Sequence, residues 1–130
     1  MWSNITYRLV TPDGPAIITI VENPEKPNGI ENIFFMIGKA GSATNSYCDA
    51  LARMVMFALK THTITEVINE LSSITADKPP IVDNGKLIRS GVEALFIALL
   101  NWRNDAQSPY ALEDNLYTPP YLNVDVLTRI

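Results

Sequence analysis

The residue types best suited to binding a ligand lie in a short glycine-rich turn made of Gly38, Lys39, Ala40, Gly41 and Ser42. An apolar stretch typical of a strand precedes this turn, and a helical pattern follows it. The first amides of a helix have no intrahelical partner, and its N-terminus carries about half a positive elementary charge. The turn therefore predicts a cradle for a phosphate, with an ammonium, a hydroxyl and backbone N–H groups as donors.

The same turn has a purely structural interpretation. Glycines are common where a strand connects to a helix, because they adopt backbone conformations that other residues disfavour. The full pattern of a nucleotide-binding loop is absent. From the residues alone, a phosphate cradle and an ordinary connection both remain open.

Three arginines and a serine are further candidates for phosphate contact. Arg53 follows Asp49 by four residues, so it forms either a surface ion pair within a helix or a guanidinium fork for a phosphate. Arg89 and Ser90 stand at the start of the third helical pattern, and Arg103 stands at its end. Arg103 has an alternative role there, since a cation at a helix C-terminus is favourable.

Aromatic side chains near the end of the sequence can supply a stacking surface for a base. The candidates are Trp102, in the last turn of the third helical pattern, and Tyr117, in the segment that follows. Trp102 has an alternative role as an anchor of the helix end in the core.

Catalytic and metal chemistry have little support in the sequence. The carboxylates are scattered, and no nucleophile–base pair or pair of acids can be assigned. Cys48 and His62 are the only cysteine and histidine, which excludes a disulfide framework or a multi-Cys, multi-His zinc site within one chain. We therefore expect a binding protein with no catalytic residues, no metal and no cofactor.

Composition limits the kinds of partner. The 130 residues suffice for one globular domain, and 47% are apolar while only 18% are charged, which favours a homo-oligomer. A net charge of −4 without a basic block argues against duplex nucleic acid. Neither a signal peptide nor an apolar run of about 20 residues is apparent, so we expect a cytoplasmic location and no membrane partner.

The periodicities predict an α+β fold, a three-stranded antiparallel sheet packed by two to three helices. Residues 4–22 form a hairpin around a Pro-Asp-Gly turn, and residues 30–37 form the third strand. Helices are predicted over residues 43–60, 63–73 and 86–102, the last beginning as late as Ser90 because of Gly91. Residues 75–86 are predicted to be a loop.

The predicted domain spans residues 1–104. The irregular tail, residues 105–130, is expected to pack on the body or on a neighbouring subunit. In the first helix, the main stripe predicted to face the core comprises Tyr47, Leu51, Met54, Val55 and Ala58. A second stripe, Cys48, Ala52 and Met56, is expected to meet another helix or another subunit, and Phe34, Phe35 and Phe57 are expected in the core.

Residues 37–41 (Ile-Gly-Lys-Ala-Gly) and 49–60 resemble the small domain at the end of vitamin-B12-dependent ribonucleotide reductases, which also occurs as free-standing proteins. The resemblance covers roughly residues 5–103. Reductase-linked versions often carry cysteines after this turn and in the later loop, whereas this chain has Ser42, Thr75-Ala76 and Ser90. Because the cysteines are replaced at these positions, the resemblance implies a scaffold that has been redeployed for binding.

A free-standing chain of this kind is similar to the phage anti-defence sponges that counter the Thoeris immune system. That resemblance implies a homo-oligomer, a dimer or a trimer of dimers, that sequesters a phosphorylated cyclic nucleotide in the host cytoplasm without cleaving it. Cyclic ADP-ribose isomers are the implied ligands, with cyclic oligonucleotides as a further class. The alternatives are an accessory or regulatory module associated with ribonucleotide reductase, and a purely structural oligomeric protein.

Overall fold

A computed structural model describes residues 3–38, 41–72, 74–83 and 85–104, and the backbone of residues 128–129. Strands β1 (Ser3–Thr11) and β2 (Gly14–Glu22) form the predicted hairpin, and β3 (Ile30–Ile37) pairs antiparallel with β2. The Thr11 hydroxyl closes the hairpin turn by donating to the Gly14 carbonyl at 2.7 Å. The predicted three-stranded antiparallel sheet is confirmed.

A short strand β6 (Thr128–Arg129) pairs antiparallel with Tyr7 and Arg8, so the sheet order is β3-β2-β1-β6. The rest of the predicted tail, residues 105–127 and 130, lies outside the described residues. Among the described strands, β3 therefore forms one edge of the sheet.

Three helices complete the α+β fold: α1 (Ala43–Ala58), α2 (Ile64–Leu71) and α3 (Gly91–Asn104). Each starts at a hydroxyl side chain that accepts a backbone N–H, as N-cap residues do. The hydroxyls belong to Ser42, Thr63 and Ser90, and their N–H donors are Asn45, Glu66 and Glu93. In the described part of the chain, no helix has the length and apolar character needed to cross a membrane.

The loop predicted over residues 75–86 is wrong in its second half. Strands β4 (Ile81–Asp83) and β5 (Lys86–Ile88) form a small hairpin there, with Gly85 at φ 82° in the turn. The hairpin attaches to β1 where the Val10 N–H donates to Asp83 Oδ2 at 2.8 Å. An Asn-Gly pair between apolar dipeptides is a hairpin signal, which the short length of these strands obscured.

The core lies between the sheet and α3. Alternate residues of β1, β2 and β3 are buried on one face, including Tyr7, Ile18 and Phe35. Helix α3 contacts β1, β2 and α2, and its residues 93–100 are all buried. A helix with this much apolar surface is stable only in the centre of a domain, since no side is left for water.

Helix α1 packs against β3 with residues of both predicted stripes. Cys48 and Ala52 of the second stripe and Val55 of the main stripe are buried. Leu51 and Ala58 of the main stripe and Met56 of the second pack against the core partly buried. Tyr47 and Met54, predicted to face the core, are exposed. Of the three phenylalanines expected in the core, Phe35 is buried, whereas Phe34 and Phe57 are exposed.

Candidate functional site

The predicted phosphate-binding turn has the backbone geometry that glycine permits. Gly38 and Gly41 have φ values of 71° and 84°, in the left-handed region that favours glycine. Ser42 has a structural role as the N-cap of α1, where its Oγ accepts the Asn45 N–H at 3.1 Å. Lys39 and Ala40 lie outside the described residues.

A hollow of about 360 Å³ adjoins this turn, and we call it the turn hollow. One wall is the start of α1, and the other is the face of the sheet that lies away from the core. Its lining includes Gly41, Ser42, Asn45, Asp49, Thr19, Phe34 and Met36. The volume lies in the range of small-molecule sites, although the Asp49 carboxylate opposes an anion at that wall.

A larger hollow of about 680 Å³ lies between α1 and the loop that joins β2 to β3, and we call it the basic hollow. The hollow is lined by Lys26 from the loop, by Arg53 from α1, and by Lys60, which lies two residues beyond the end of α1. These are three of the ten lysine and arginine residues of a chain whose net charge is −4. One carboxylate, that of Glu31, also lines the hollow, so cations outnumber carboxylates there by three to one.

Backbone hydrogen bonds hold Lys26 in place. The Lys26 N–H donates to the Asn23 carbonyl at 3.0 Å, and the Gly29 N–H donates to the Lys26 carbonyl at 3.0 Å. Asn28 ties this loop to the helices: its Nδ2 donates to the carbonyls of Leu59 at 2.9 Å and His62 at 3.0 Å. The loop and the C-terminal end of α1 are therefore fixed relative to each other.

Arg53 is free to turn toward a ligand. Its Nε lies 3.1 Å from Asp49 Oδ2, but the two side chains are 78% and 61% exposed. An exposed pair of this kind contributes only about 0.3–0.5 kcal/mol. Exchanging this partner for a phosphate therefore costs little.

One aromatic side chain, that of Phe57, lines the basic hollow, and the Lys60 Nζ lies 5.7 Å from its ring centroid. An exposed ring beside three cations can stack on a base while the cations contact phosphates.

Arg89 and Ser90 build the start of α3. The Ser90 Oγ accepts the Glu93 N–H at 3.0 Å and donates to the Ile74 carbonyl at 2.9 Å. The guanidinium of Arg89 binds the buried Glu93 carboxylate through Nε, at 2.9 Å, and through a second nitrogen. The side chains of Arg89 and Ser90 therefore form hydrogen bonds within the protein, which stabilise the start of α3.

Trp102 and Arg103 are buried in the last turn of α3. The Trp102 indole N–H donates to Glu22 Oε2 at 2.7 Å, and Arg103 donates to Thr65 Oγ1 at 2.8 Å. In this arrangement Trp102 has no exposed face on which a base can stack. Tyr117 lies outside the described residues.

The family model for the TSCPD domain matches residues 5–101 of the chain. This chain belongs to the TSCPD domain family. The match confirms the resemblance to the small domain found in vitamin-B12-dependent ribonucleotide reductases. A search of curated proteins and a search of solved structures give no match.

Thr75 and Ser90, at two of the positions where the resemblance implies cysteines in reductase-linked versions, lie near each other in this TSCPD domain. Ser90 hydrogen-bonds the carbonyl of Ile74, which directly precedes Thr75. The third position, Ser42, caps α1 instead. Within the described ranges, no group of three or more His, Cys, Asp or Glu side chains is placed to hold a metal ion.

The single thiol of this TSCPD domain is buried beside β3. Burial raises the pKa of Cys48, the negative charge of Asp13 adds to the increase, and a hydrogen bond from the Ile37 backbone partly opposes it. The thiol is therefore held protonated, in the form least suited to nucleophilic or metal chemistry.

The structure thus separates the predicted ligand residues into distinct places. Gly41 and Ser42 line the turn hollow, Arg53 lines the basic hollow, and Arg89, Ser90, Trp102 and Arg103 belong to the framework around α3. Sequence reasoning missed Lys26, Asn28, Phe57 and Lys60 as neighbours of Arg53. Lys60 and Arg53 share the polar edge of α1, but no sequence pattern indicates that the loop of Lys26 folds against it.

Proposed function

We propose that this TSCPD domain is a phage anti-defence protein that binds a small cyclic nucleotide-type immune signal and sequesters it without cleaving it. The observation that carries the proposal is the convergence of Lys26, Arg53 and Lys60 on one hollow in an acidic chain. Cyclic ADP-ribose isomers are the first ligands to consider, and cyclic oligonucleotides are the second.

In the proposed complex, the three cations contact phosphate oxygens. Arg53 leaves its exposed partner Asp49 and forms a bidentate contact, while Lys26 and Lys60 act as point charges. The Phe57 ring stacks on a base, which adds affinity without requiring a particular base. The glycine-rich turn supplies a second candidate phosphate contact, with Lys39 as its cation.

Sequestration requires slow release rather than chemistry. A ligand that is enclosed between subunits of a homo-oligomer, a dimer or a trimer of dimers, dissociates more slowly than one in an open cleft. Such a protein acts in the host cytoplasm at a concentration above that of the signal.

Titration calorimetry tests the proposal directly. Cyclic ADP-ribose isomers and cyclic di- and trinucleotides are titrated into the full chain, and the bound ligand is recovered after heat denaturation and analysed by mass spectrometry. Tight binding with unchanged ligand supports sequestration. A converted product indicates an enzyme, and no binding of any of these ligands overturns the proposal.

Charge-removing variants test the site. Arg53→Gln and Lys60→Gln are each expected to weaken binding by about tenfold, because each loses one charge-assisted contact. Arg8→Gln is the matched control, since Arg8 is exposed on β1 outside the basic hollow. Lys39→Ala tests the turn: affinity should fall while the melting temperature stays within a few degrees.

Membership of the TSCPD family favours one second candidate, an accessory or regulatory module associated with ribonucleotide reductase. Its test is co-purification of the full chain with a reductase subunit, and activity of that subunit with and without the chain. A change in reductase activity together with no nucleotide binding would favour this candidate.

A further inference from the structure

Helix α1 carries a second apolar face on the side away from the core. Its residues recur at alternating intervals of four and three, as Ala43, Tyr47, Ala50, Met54 and Phe57. At 100° per residue, this stripe lies opposite the buried residues Cys48, Ala52 and Val55. The large members are conspicuously exposed: 74% for Tyr47, 62% for Met54 and 64% for Phe57.

A helix on the surface of a domain normally presents polar residues on its outer side. In α1 the charged residues Asp49 and Arg53 instead occupy one flank, between the buried stripe and the exposed stripe. The exposed residues have the spacing found in coiled coils, where apolar residues that recur every 3.5 residues on average form a continuous seam between two helices. This outer face therefore fits another helix.

The stripe is complementary to itself when two copies run antiparallel and cross at Ala50. The numbers of two residues that face each other, one from each copy, then sum to about 100. Phe57 faces Ala43 of the partner subunit, Tyr47 lies beside Met54 of the partner subunit, and the two Ala50 residues meet. The small residues Ala50 and Ala43 let the two helices approach closely, Phe57 packs over Ala43 of the partner subunit, and Tyr47 and Met54 lie side by side.

We propose that two copies of this chain pair through the outer face of α1, antiparallel about a two-fold axis near Ala50. The area is consistent with such a pair as the centre of a dimer interface. An aromatic side chain has about 200 Å² of surface, so Tyr47 and Phe57 alone expose roughly 280 Å² per copy, about a third of the ~800 Å² per partner in a standard interface. Met54, which is 62% exposed, adds to this area.

Such a pair also determines on which side the two basic hollows open. A two-fold axis perpendicular to both helices brings the same flank of each helix to the same side. The flank that bears Arg53 and Lys60 lines the basic hollow, so the hollows of both copies open on one side of the pair. Phe57 belongs both to the exposed stripe and to the lining of the basic hollow, so the pair and the proposed ligand complex share this ring. The tests of pairing use no ligand, so their failure is distinguishable from a failure of the nucleotide titration.

Sedimentation equilibrium of the full chain tests the pairing. The wild-type protein is expected to have at least twice the chain mass of 14.4 kDa at about 100 μM. Met54→Glu buries two carboxylates in the seam and should halve the mass or weaken self-association more than tenfold. Val82→Glu is the matched control, since Val82 is 67% exposed on β4, and it should behave as the wild type does.

A monomeric wild type, or a Met54→Glu variant that associates as the wild type does, overturns the proposal. Two conservative cysteine variants then test the orientation under mild oxidation. Ala50→Cys should form an intermolecular disulfide, because the two residues 50 meet at the axis. Ala43→Cys should not, since two residues 43 lie about 21 Å apart in the antiparallel pair.

Both alanines are exposed on α1, whereas the native Cys48 is buried, so the added thiol is the accessible one. Equal cross-linking of both variants would indicate a parallel pair and overturn the proposed orientation. Failure of both to cross-link would place the interface elsewhere.

Discussion

The indole N–H of Trp102 donates to Glu22 Oε2 at 2.7 Å, joining the last turn of α3 to the end of β2 across 80 residues of sequence. The other oxygen of the same carboxylate accepts the exposed hydroxyl of Ser3 at 2.6 Å. Glu22 therefore holds together an interior helix and two strands of the sheet. This contact explains why Trp102 faces inward and not toward a ligand.

Trp102→Phe keeps an aromatic ring but removes this hydrogen bond and part of a fully buried side chain. We expect the free energy of unfolding to fall by at least about 1.5–3 kcal/mol, the range for a hydrogen bond to a charged group, because the smaller ring also leaves a cavity. Urea denaturation measures the loss. Ser3→Ala, which removes the exposed bond to the same carboxylate, should change stability by less than about 0.5 kcal/mol. Weakened nucleotide binding without a loss of stability would instead place Trp102 in a ligand site.

Arg89→Ala should destabilise the protein by about 3 kcal/mol, because it removes the guanidinium from the buried Glu93 carboxylate. Arg53→Ala, which breaks an exposed pair at the same i, i+4 spacing, should cost less than about 0.5 kcal/mol. Denaturation of the two variants side by side makes the comparison. Equal costs would contradict the assignment of Arg89 to the framework and Arg53 to the accessible surface.

Gly91 lies against the ends of two side chains, which must shift to accept a larger residue. A Cβ there would lie 2.5 Å from Ile37 Cδ1 and 2.9 Å from Asp13 Oδ2. Gly91→Ala should therefore destabilise the protein by about 1–3 kcal/mol, although alanine is the better helix former. Thermal denaturation provides the measurement.

The double variant Gly91→Ala, Ile37→Val identifies the clash as the cause. Valine lacks Cδ1, so the cost of the added methyl should be at least ~0.5 kcal/mol smaller in this background than in the wild type. Strictly additive effects would mean that Asp13 or the backbone, and not Ile37, resists the alanine.

The capping box of α2 predicts a pH dependence. Hydrogen bonds from the backbone and then the side chain of Thr63 lower the pKa of Glu66 below its ordinary value of 4.5. Because the pKa is lower in the folded protein, the stabilisation is present above about pH 4.5 and is lost as the pH falls through the lowered value. NMR titration of the Glu66 carboxyl carbon measures this directly.

Thr63→Ala separates the two contributions to that pKa. The variant keeps the backbone N–H, which is the larger contribution, and removes only the hydroxyl, so the pKa of Glu66 should rise partway toward 4.5. A complete return to the ordinary value would show that the hydroxyl alone holds the carboxylate.

Local sequence patterns identified most of the elements and the fold class. The alternation in residues 5–10, the turn before Gly14, and the capping box at Thr63 and Glu66 each follow from contacts within a few residues. The hairpin at residues 81–88 was missed because its strands are only three residues long, and their position depends on Asp83 reaching β1.

The sequence by itself determined the α+β fold, the TSCPD family and the helix caps, because backbone propensities and nearby side chains set them. Only the tertiary structure decided which residues of the two apolar stripes of α1 face the core, since both stripes satisfy the helical period and the position of β3 buries Cys48, Ala52 and Val55 while it leaves Tyr47 and Met54 exposed. It also decided that Lys26 lines the same hollow as Arg53 and Lys60, because residues far apart in the chain are brought to one hollow only by the packing of the loop against the helix.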